Sequence, residues 1–433
     1  MRTRYIALCF VFLSGSGADL FCQTEADSVM VSQIVFVGNE RTREEIMLRE
    51  MELVPGQLYD RERAEKDRLH IYNLGLFYRV EIEPVVTEDG VVLLVYVAER
   101  LYLFPYPIIF SNERDWKKLS YGAGLIVQNV SGRNIDLAGS FWRGYNPGAD
   151  LYYLNPWIGG LKHLSVQLRA YSSSIRSRVL ELPRFYQRHR GLVFSLGKRW
   201  GHSTHLTLQS SLGRIKVPES HRSVTLSNSG TDDFFSLGLG FRYDTRDLYE
   251  YPMSGWRVEL SVQRTFPDYH RLGVDLRRYI PLFAGTSVAL RAALDWLGGR
   301  VPAYRRLYLG YSERIRGHFN SRDDEPYDGR LEGERRAVGN VEFRVPILKR
   351  RYLHLDSALG AYGENLPFGL SGALFCDTGA VWSGRRYPRP GTWLSGFGFG
   401  LHLHVPYIDL IRLEYAFDER GRGESLLDFM VWF

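Results

Sequence analysis

A sixteen-stranded antiparallel transmembrane β-barrel, preceded by one small α+β domain, is the fold this sequence predicts, and three observations predict it. The chain closes on an alternating run in which Leu427, Phe429, Val431 and Phe433 share one face while Asp428 takes the other, the pattern of a lipid-facing barrel strand. From about residue 102 onward it divides into alternating segments separated by Gly, Asn, Asp, Pro and Ser connections. Aromatic residues make up 14% and Gly numbers 43, yet past the first twenty residues no run approaches the roughly 18 consecutive apolar residues of a transmembrane helix. A barrel keeps its apolar residues at alternate positions, which is how a chain that is 45% hydrophobic has a slightly negative mean hydropathy.

Residues 1–22 read as an export signal. Arg2 and Arg4 precede an apolar core from Tyr5 to Leu13, and the small residues Ser14 to Ala18 follow, with cleavage expected after Ala18. Cys22 raises a lipoprotein alternative, which Asp19 and Phe21 disfavour. Cys376 has only Cys22 as a conceivable partner once Cys9 leaves with the signal, so neither a disulfide framework nor metal-type Cys spacing is expected.

Residues 28–100 change character. Val31–Val37 is a short apolar strand ended by Gly38 and Asn39; Thr42 is positioned to cap a helix with Glu45 completing a capping box, and Glu44 to Met51 carries Ile46 and Leu48. Asp60 then caps a second helix through Leu69, Ile71, Tyr72 and Leu74, ended by Gly75. Strands over Tyr78–Val86 and Val91–Glu99 flank a turn at Asp89 and Gly90. The order β-α-α-β-β, with VFVGNERTREEI (35–46), PGQLYD (55–60) and YNLGLFYRVEI (72–82), resembles a polypeptide-transport-associated (POTRA) domain. One such domain is recognised.

For residues 102–433, roughly 330 residues at about 20 per strand and connection give about sixteen strands. Phe397, Phe399, Leu401 and Leu403 alternate with Gly398, Gly400, His402 and His404; Ile411, Leu413, Tyr415 and Phe417 alternate with Arg412, Glu414 and Ala416. Leu272, Val274, Leu276 and Val341, Phe343, Val345 behave alike. The first strand, near Leu103–Ser111, holds Pro105 and Pro107, which lack the donor a ladder needs and belong at an edge. If it closes the barrel against the last strand, that seam is expected to be weak.

The longest interior connection, about residues 298 to 336, contains LYLGYSERIRGHFN, and a later strand contains FCDTGAVW. Here the chain resembles the BamA/TamA outer-membrane assembly superfamily, whose sixth extracellular loop folds into the lumen on an Arg-Gly signature. Ile315, Arg316 and Gly317 match that signature, while His318 stands where an aromatic is usual. The resemblance implies that Arg316 pairs with Asp377, which shares one face with Phe375 and Gly379, and Glu342 is a second candidate contact. SGRN (131–134) and DTRDLYEYPMSG (244–255) sit where the family has periplasmic turns.

No HExxH, GxSxG or GxxxxGK[ST] motif is present, so no enzymatic activity and no cofactor is expected. His402 and His404 have a spacing that can bind metal, with polar lining the plainer reading; Asp323, Asp324, Glu325 and Asp328 have the oxygen ligands for Ca²⁺, with a solvated acidic loop the plainer reading. Cys376 is expected to face lipid. A net charge of +6, without a basic cluster interleaved with stacking aromatics, gives no support for nucleic-acid binding.

The resemblance implies an outer-membrane location with the N-terminal domain in the periplasm, and unfolded outer-membrane or exported polypeptides as partners. The lipid bilayer is a third partner, and periplasmic chaperones and accessory lipoproteins are further candidates. Assembly of client barrels is the favoured function, because dedicated secretion channels of the superfamily commonly carry two POTRA domains and a plug helix. A translocation channel is the alternative, and a passive porin is weaker.

Overall fold

The computed structural model describes residues 29–111, 117–158, 163–177, 185–266, 268–309, 315–318, 331–353, 366–384, 387–406 and 409–429. The export signal with Cys22, the acidic residues Asp323, Asp324, Glu325 and Asp328, and the terminal Val431 and Phe433 lie outside them.

The N-terminal domain is built from β1 (Val31–Val37), α1 (Glu44–Leu48), α2 (Arg61–Tyr72), β2 (Phe77–Thr87) and β3 (Gly90–Glu99). The sheet order is β1-β3-β2, with β1 parallel and β2 antiparallel to β3. Ile46, Met47, Leu53, Ile71, Phe77, Leu93 and Val95 fill its core. Asp60 caps α2 as its position predicts, accepting from the N–H groups of Glu62 at 2.8 Å and Arg63 at 3.2 Å.

The expected capping box at α1 does not form. Arg43 is the N-cap, and the buried Thr42 is drawn elsewhere: its N–H donates to Glu99 at 2.6 Å and its hydroxyl oxygen accepts from Asn129 at 2.8 Å. Tertiary partners outcompete the local motif. The helix also stops at Leu48, short of Met51, and the exposed Leu48 leaves the core to Met47. Asp67 on α2, fully buried, accepts from the N–H groups of Glu52 at 2.8 Å and Leu53 at 3.0 Å and so fixes the chain leaving α1. Burial pushes its carboxyl up to about 6, against the pull of those two donors.

The second unit is a sixteen-stranded antiparallel sheet, as the segment count predicts. Its strands are β4 (Leu103–Ser111), β5 (Leu119–Val127), β6 (Asp136–Gly144), β7 (Gly148–Asn155), β8 (Leu164–Arg176), β9 (Tyr186–Trp200), β10 (Thr204–Lys216), β11 (Thr231–Asp244), β12 (Gly255–Phe266), β13 (Tyr269–Pro281) and β14 (Ser287–Gly299). Two short pieces, β15 (Leu307–Tyr308) and β16 (Glu332–Gly333), pair with each other inside the long connection. The sheet resumes with β17 (Arg335–Leu353), β18 (Leu366–Trp382), β19 (Leu394–Val405), β20 (Asp409–Asp418) and β21 (Gly423–Phe429). Each strand pairs with its sequence neighbour, β14 with β17 across the long connection.

Side chains alternate as expected. Phe397, Phe399, Leu401, Leu413 and Leu427 face outward and exposed, Cys376 with them, while His402, His404, Arg412 and Glu414 are buried on the inner face. Phe429 is paired with Ile411 in the ladder.

Among the described residues β4 and β21 are the two edges of the ladder. The Gln128 N–H donates to the Tyr102 carbonyl at 2.7 Å while Leu103 stands opposite Val127, so even-numbered residues of β4 address β5 and odd-numbered ones address the free edge. Pro105 and Pro107 are both odd. The donors they lack are therefore missing from the free edge, and any strand that pairs there forgoes roughly 1–3 kcal/mol at about 0.5–1.5 kcal/mol per bond.

The N-terminal domain docks on the turns at the end of the barrel where β4 begins. Asn73 donates to the Asp247 carbonyl at 2.8 Å and accepts from the Tyr249 N–H at 3.1 Å. Arg199 forks onto Glu50 at 2.9 and 3.0 Å, the Arg43 N–H donates to the Gly132 carbonyl at 3.1 Å, and Leu248 packs against the domain's core.

Candidate functional site

The site lies on the inner face where loop residues 315–318 meet β17 to β21. Period-two alternation points Glu342 and Arg344 of β17, Phe375, Asp377 and Gly379 of β18, and Arg412 and Glu414 of β20 into the same space. Arg316 enters it from the loop. Its guanidinium forks onto Asp377, Nε at 2.7 Å and Nη2 at 2.8 Å, and its main-chain N–H adds a third bond at 3.1 Å. Nη1 donates to Glu342 at 2.7 Å and Glu414 at 3.1 Å, and the guanidinium carbon sits 3.6 Å from the Phe375 ring centroid, a cation–π contact.

The rest of the signature is placed around this pair. Ile315 is fully buried with Leu309, Val338, Val381 and Leu394. Gly379 leaves room for it, since a Cβ there would stand 2.8 Å from Ile315 Cδ1. Gly317, at φ +95°, donates its N–H to Glu424 of β21 at 2.8 Å. His318, where the family has an aromatic, meets the Ser395 carbonyl at 3.0 Å and the Glu419 carboxylate, so this ring is held by polar contacts.

Gly396 is the residue that admits the loop. It stands opposite Asp377 in the ladder, and a Cβ there would fall 1.7 Å from the Arg316 carbonyl oxygen.

Residues the motifs did not point to extend the network. Arg412 donates to Glu342 at 2.6 Å and Glu414 at 2.7 Å; Arg344 donates to Glu342 at 2.8 Å and to the Pro252 carbonyl at 2.8 Å. Three arginines thus face three carboxylates, and the buried charges compensate one another. Tyr251, in the turn between β11 and β12, carries the network to the near end of the barrel: its hydroxyl meets His402 Nδ1 at 3.1 Å, and His402 Nε2 meets Glu414 at 3.1 Å. The sequence offers no third ligand beside His402 and His404, and the register supplies Glu342 and Glu414 next to His402. Both carboxylates are already taken by arginine, so this cluster is an ion-pair network. The signals that could have found it are the period-two glycines Gly396, Gly398 and Gly400 and the inward pair Arg412 and Glu414.

Residues 129–429 match the Omp85 superfamily domain, and residues 29–100 match the surface antigen variable number repeat, or POTRA, domain. The chain belongs to the Omp85 superfamily. It is 24% identical over 351 residues to the outer membrane protein assembly factor BamA of Nitratidesulfovibrio vulgaris (strain Hildenborough), covering 73% of this chain and 41% of that protein. The chain thus spans about two fifths of the length of that relative.

Among solved structures, BamA from Haemophilus ducreyi lacking POTRA domains 1–3 superposes with a TM-score of 0.55 at 18% identity, over 93% of this chain and 84% of that one. CdiB from Escherichia coli gives 0.56 at 11% identity, over 94% and 76%, and CdiB from Acinetobacter baumannii 0.52 at 12%, over 93% and 74%. At such identities these show a shared fold. As an Omp85 barrel the chain lies in the outer membrane with its POTRA domain in the periplasm, which makes the turns under that domain periplasmic and the Arg316 connection the sixth extracellular loop.

Proposed function

We propose that this protein is a non-enzymatic assembly factor that helps unfolded outer-membrane or surface proteins insert into the membrane. The observation that carries this reading is the seam. Pro105 and Pro107 withhold two donors from the free edge of β4, so the barrel has one edge whose pairing is weak by construction and at which an incoming strand can compete. The POTRA sheet supplies an edge at β2 for capture of extended polypeptide. Arg316, Asp377 and Glu342 hold loop six in the lumen during that exchange, and the alternating β21, with Leu427 outward, serves as the protein's own insertion signal.

A translocation channel for one exported polypeptide is the second reading. The cavity of about 700 Å³ lined by Gln167, Ser195, Thr207, Arg271, Asp275 and Arg336 favours it, because a chain in transit needs a polar path. Depletion followed by quantitative outer-membrane proteomics tests both. Joint loss of many barrel proteins is expected for an assembly factor; loss of a single exported protein with the other barrels intact would replace that reading with the channel.

A further inference from the structure

The POTRA–barrel junction holds a group of side chains that neither the fold nor the lumen network uses. His70 lies in the last turn of α2, Glu52 follows α1, and His202 stands in the periplasmic turn between β9 and β10. One ligand atom from each lies within 4.8 Å of the other two. The His202 Nδ1 is 3.6 Å from Glu52 Oε1, and the His70 and His202 rings stack with centroids 4.0 Å apart, 16° from parallel.

Three features separate this group from a chance cluster. The His70 Nδ1 is buried and has no hydrogen-bond partner among the described residues. A buried ring nitrogen left without a partner is the exception among buried polar atoms, and its lone pair is free to take a ligand. The neighbouring carboxylates are also divided in role. Glu50 is committed to Arg199, lies 3.6 Å from Arg49 and stands 3.9 Å from His202 Nε2, whereas Glu52 is half exposed and faces His202 Nδ1. Finally, the Glu52 main chain is fixed by its bond to Asp67, so the carboxylate stands on an ordered segment.

We propose that His70, His202 and Glu52 form a binding site for a divalent transition-metal ion, Zn²⁺ being the best chemical match, that staples the POTRA domain to the barrel turn. Two imidazoles and one carboxylate suit Zn²⁺ and are too nitrogen-rich for Ca²⁺ or Mg²⁺. Three protein ligands leave a fourth position for water, which the partial exposure of Glu52 and His202 admits. Because the rings now stack, rotation of one imidazole about its Cβ–Cγ bond is the adjustment that turns both lone pairs onto one ion. Two ligands belong to the POTRA domain and one to the barrel, so binding links their relative position to the ion.

The test uses the full chain in detergent, stripped with chelator and titrated with Zn²⁺ alone by calorimetry. One ion per chain is expected, with His70→Ala and His202→Ala each weakening binding at least about tenfold. His202→Cys, which offers a thiolate, should restore it, and His221→Ala on the extracellular side should leave it unchanged. Zn²⁺ should also slow amide exchange across residues 61–72 and 200–204 in the parent chain and not in His202→Ala. Should His202→Ala fail to fold, Glu52→Gln at the exposed ligand decides in the same assay. Absence of a saturable ion, or an ion held equally well by the variants, would overturn the proposal and leave the two histidines as a packing pair.

Discussion

The two walls of the lumen are built differently. Between β4 and β10, among the described residues, no charged side chain is buried; the buried polar groups there are Ser120, Asn129, Ser177, Gln187 and Ser195. Across β14 to β20 the inner face buries Asp295, Arg336, Glu342, Arg344, Asp377, Arg412, Glu414 and Asp418. Both walls use the same alternation and the same ladder. What differs is that the C-terminal wall receives loop six and compensates the charges it buries, while the inward ion pair of the N-terminal wall, Asp150 with Arg169, stays partly exposed. One wall anchors loop six, and the other does not.

This contrast can be broken. Arg316→Ala strips Asp377 of its forked partner in a buried setting and should cost about 3–5 kcal/mol, with Asp377→Ala similar. The double variant should be little worse than either single one, because the two losses share one interaction. Urea unfolding followed by heat-modifiable gel mobility measures all three. Ser195→Ala on the opposite wall should stay within about 0.5 kcal/mol, and an equal loss there would erase the distinction. Asp67→Ala, outside both walls, orphans the buried Leu53 N–H and the part-buried Glu52 N–H and should cost the POTRA domain about 1–3 kcal/mol while leaving the barrel transition alone. Replacing Pro105 and Pro107 together by Val restores donors to the seam; a gain of roughly 1–3 kcal/mol in barrel stability with slower client insertion is expected. Faster insertion would detach the weak seam from the function. A small effect is expected for Glu424→Gln, which keeps an acceptor for the Gly317 N–H and should lower the unfolding stability by less than about 1 kcal/mol.

How much of this was legible in the sequence follows from the range of each signal. Alternation is local, so the inward and outward faces of strands such as 397–403 and 411–417 could be read directly. The loop signature and Asp377 were legible through resemblance, as two short motifs in order. Arg344, Tyr251 and Glu424 were not, because their importance depends on register between strands and on a turn folded back into the lumen, which no window of a single segment contains. The α1 cap failed for the same reason in reverse. Its local motif is sound, but Glu99 and Asn129, distant in sequence, reach Thr42 first.

The bond from Gly317 to Glu424 has a bearing on permeability. Glu424 belongs to the edge strand β21, whereas the main anchors of the loop stand further in, on β17, β18 and β20. If β21 swings aside, the loop gives up one hydrogen bond and keeps the Arg316 fork. Movement of the edge strand is therefore separable from movement of the loop, whose place on the inner face, and with it the path through the barrel, is set by the Arg316 fork rather than by β21.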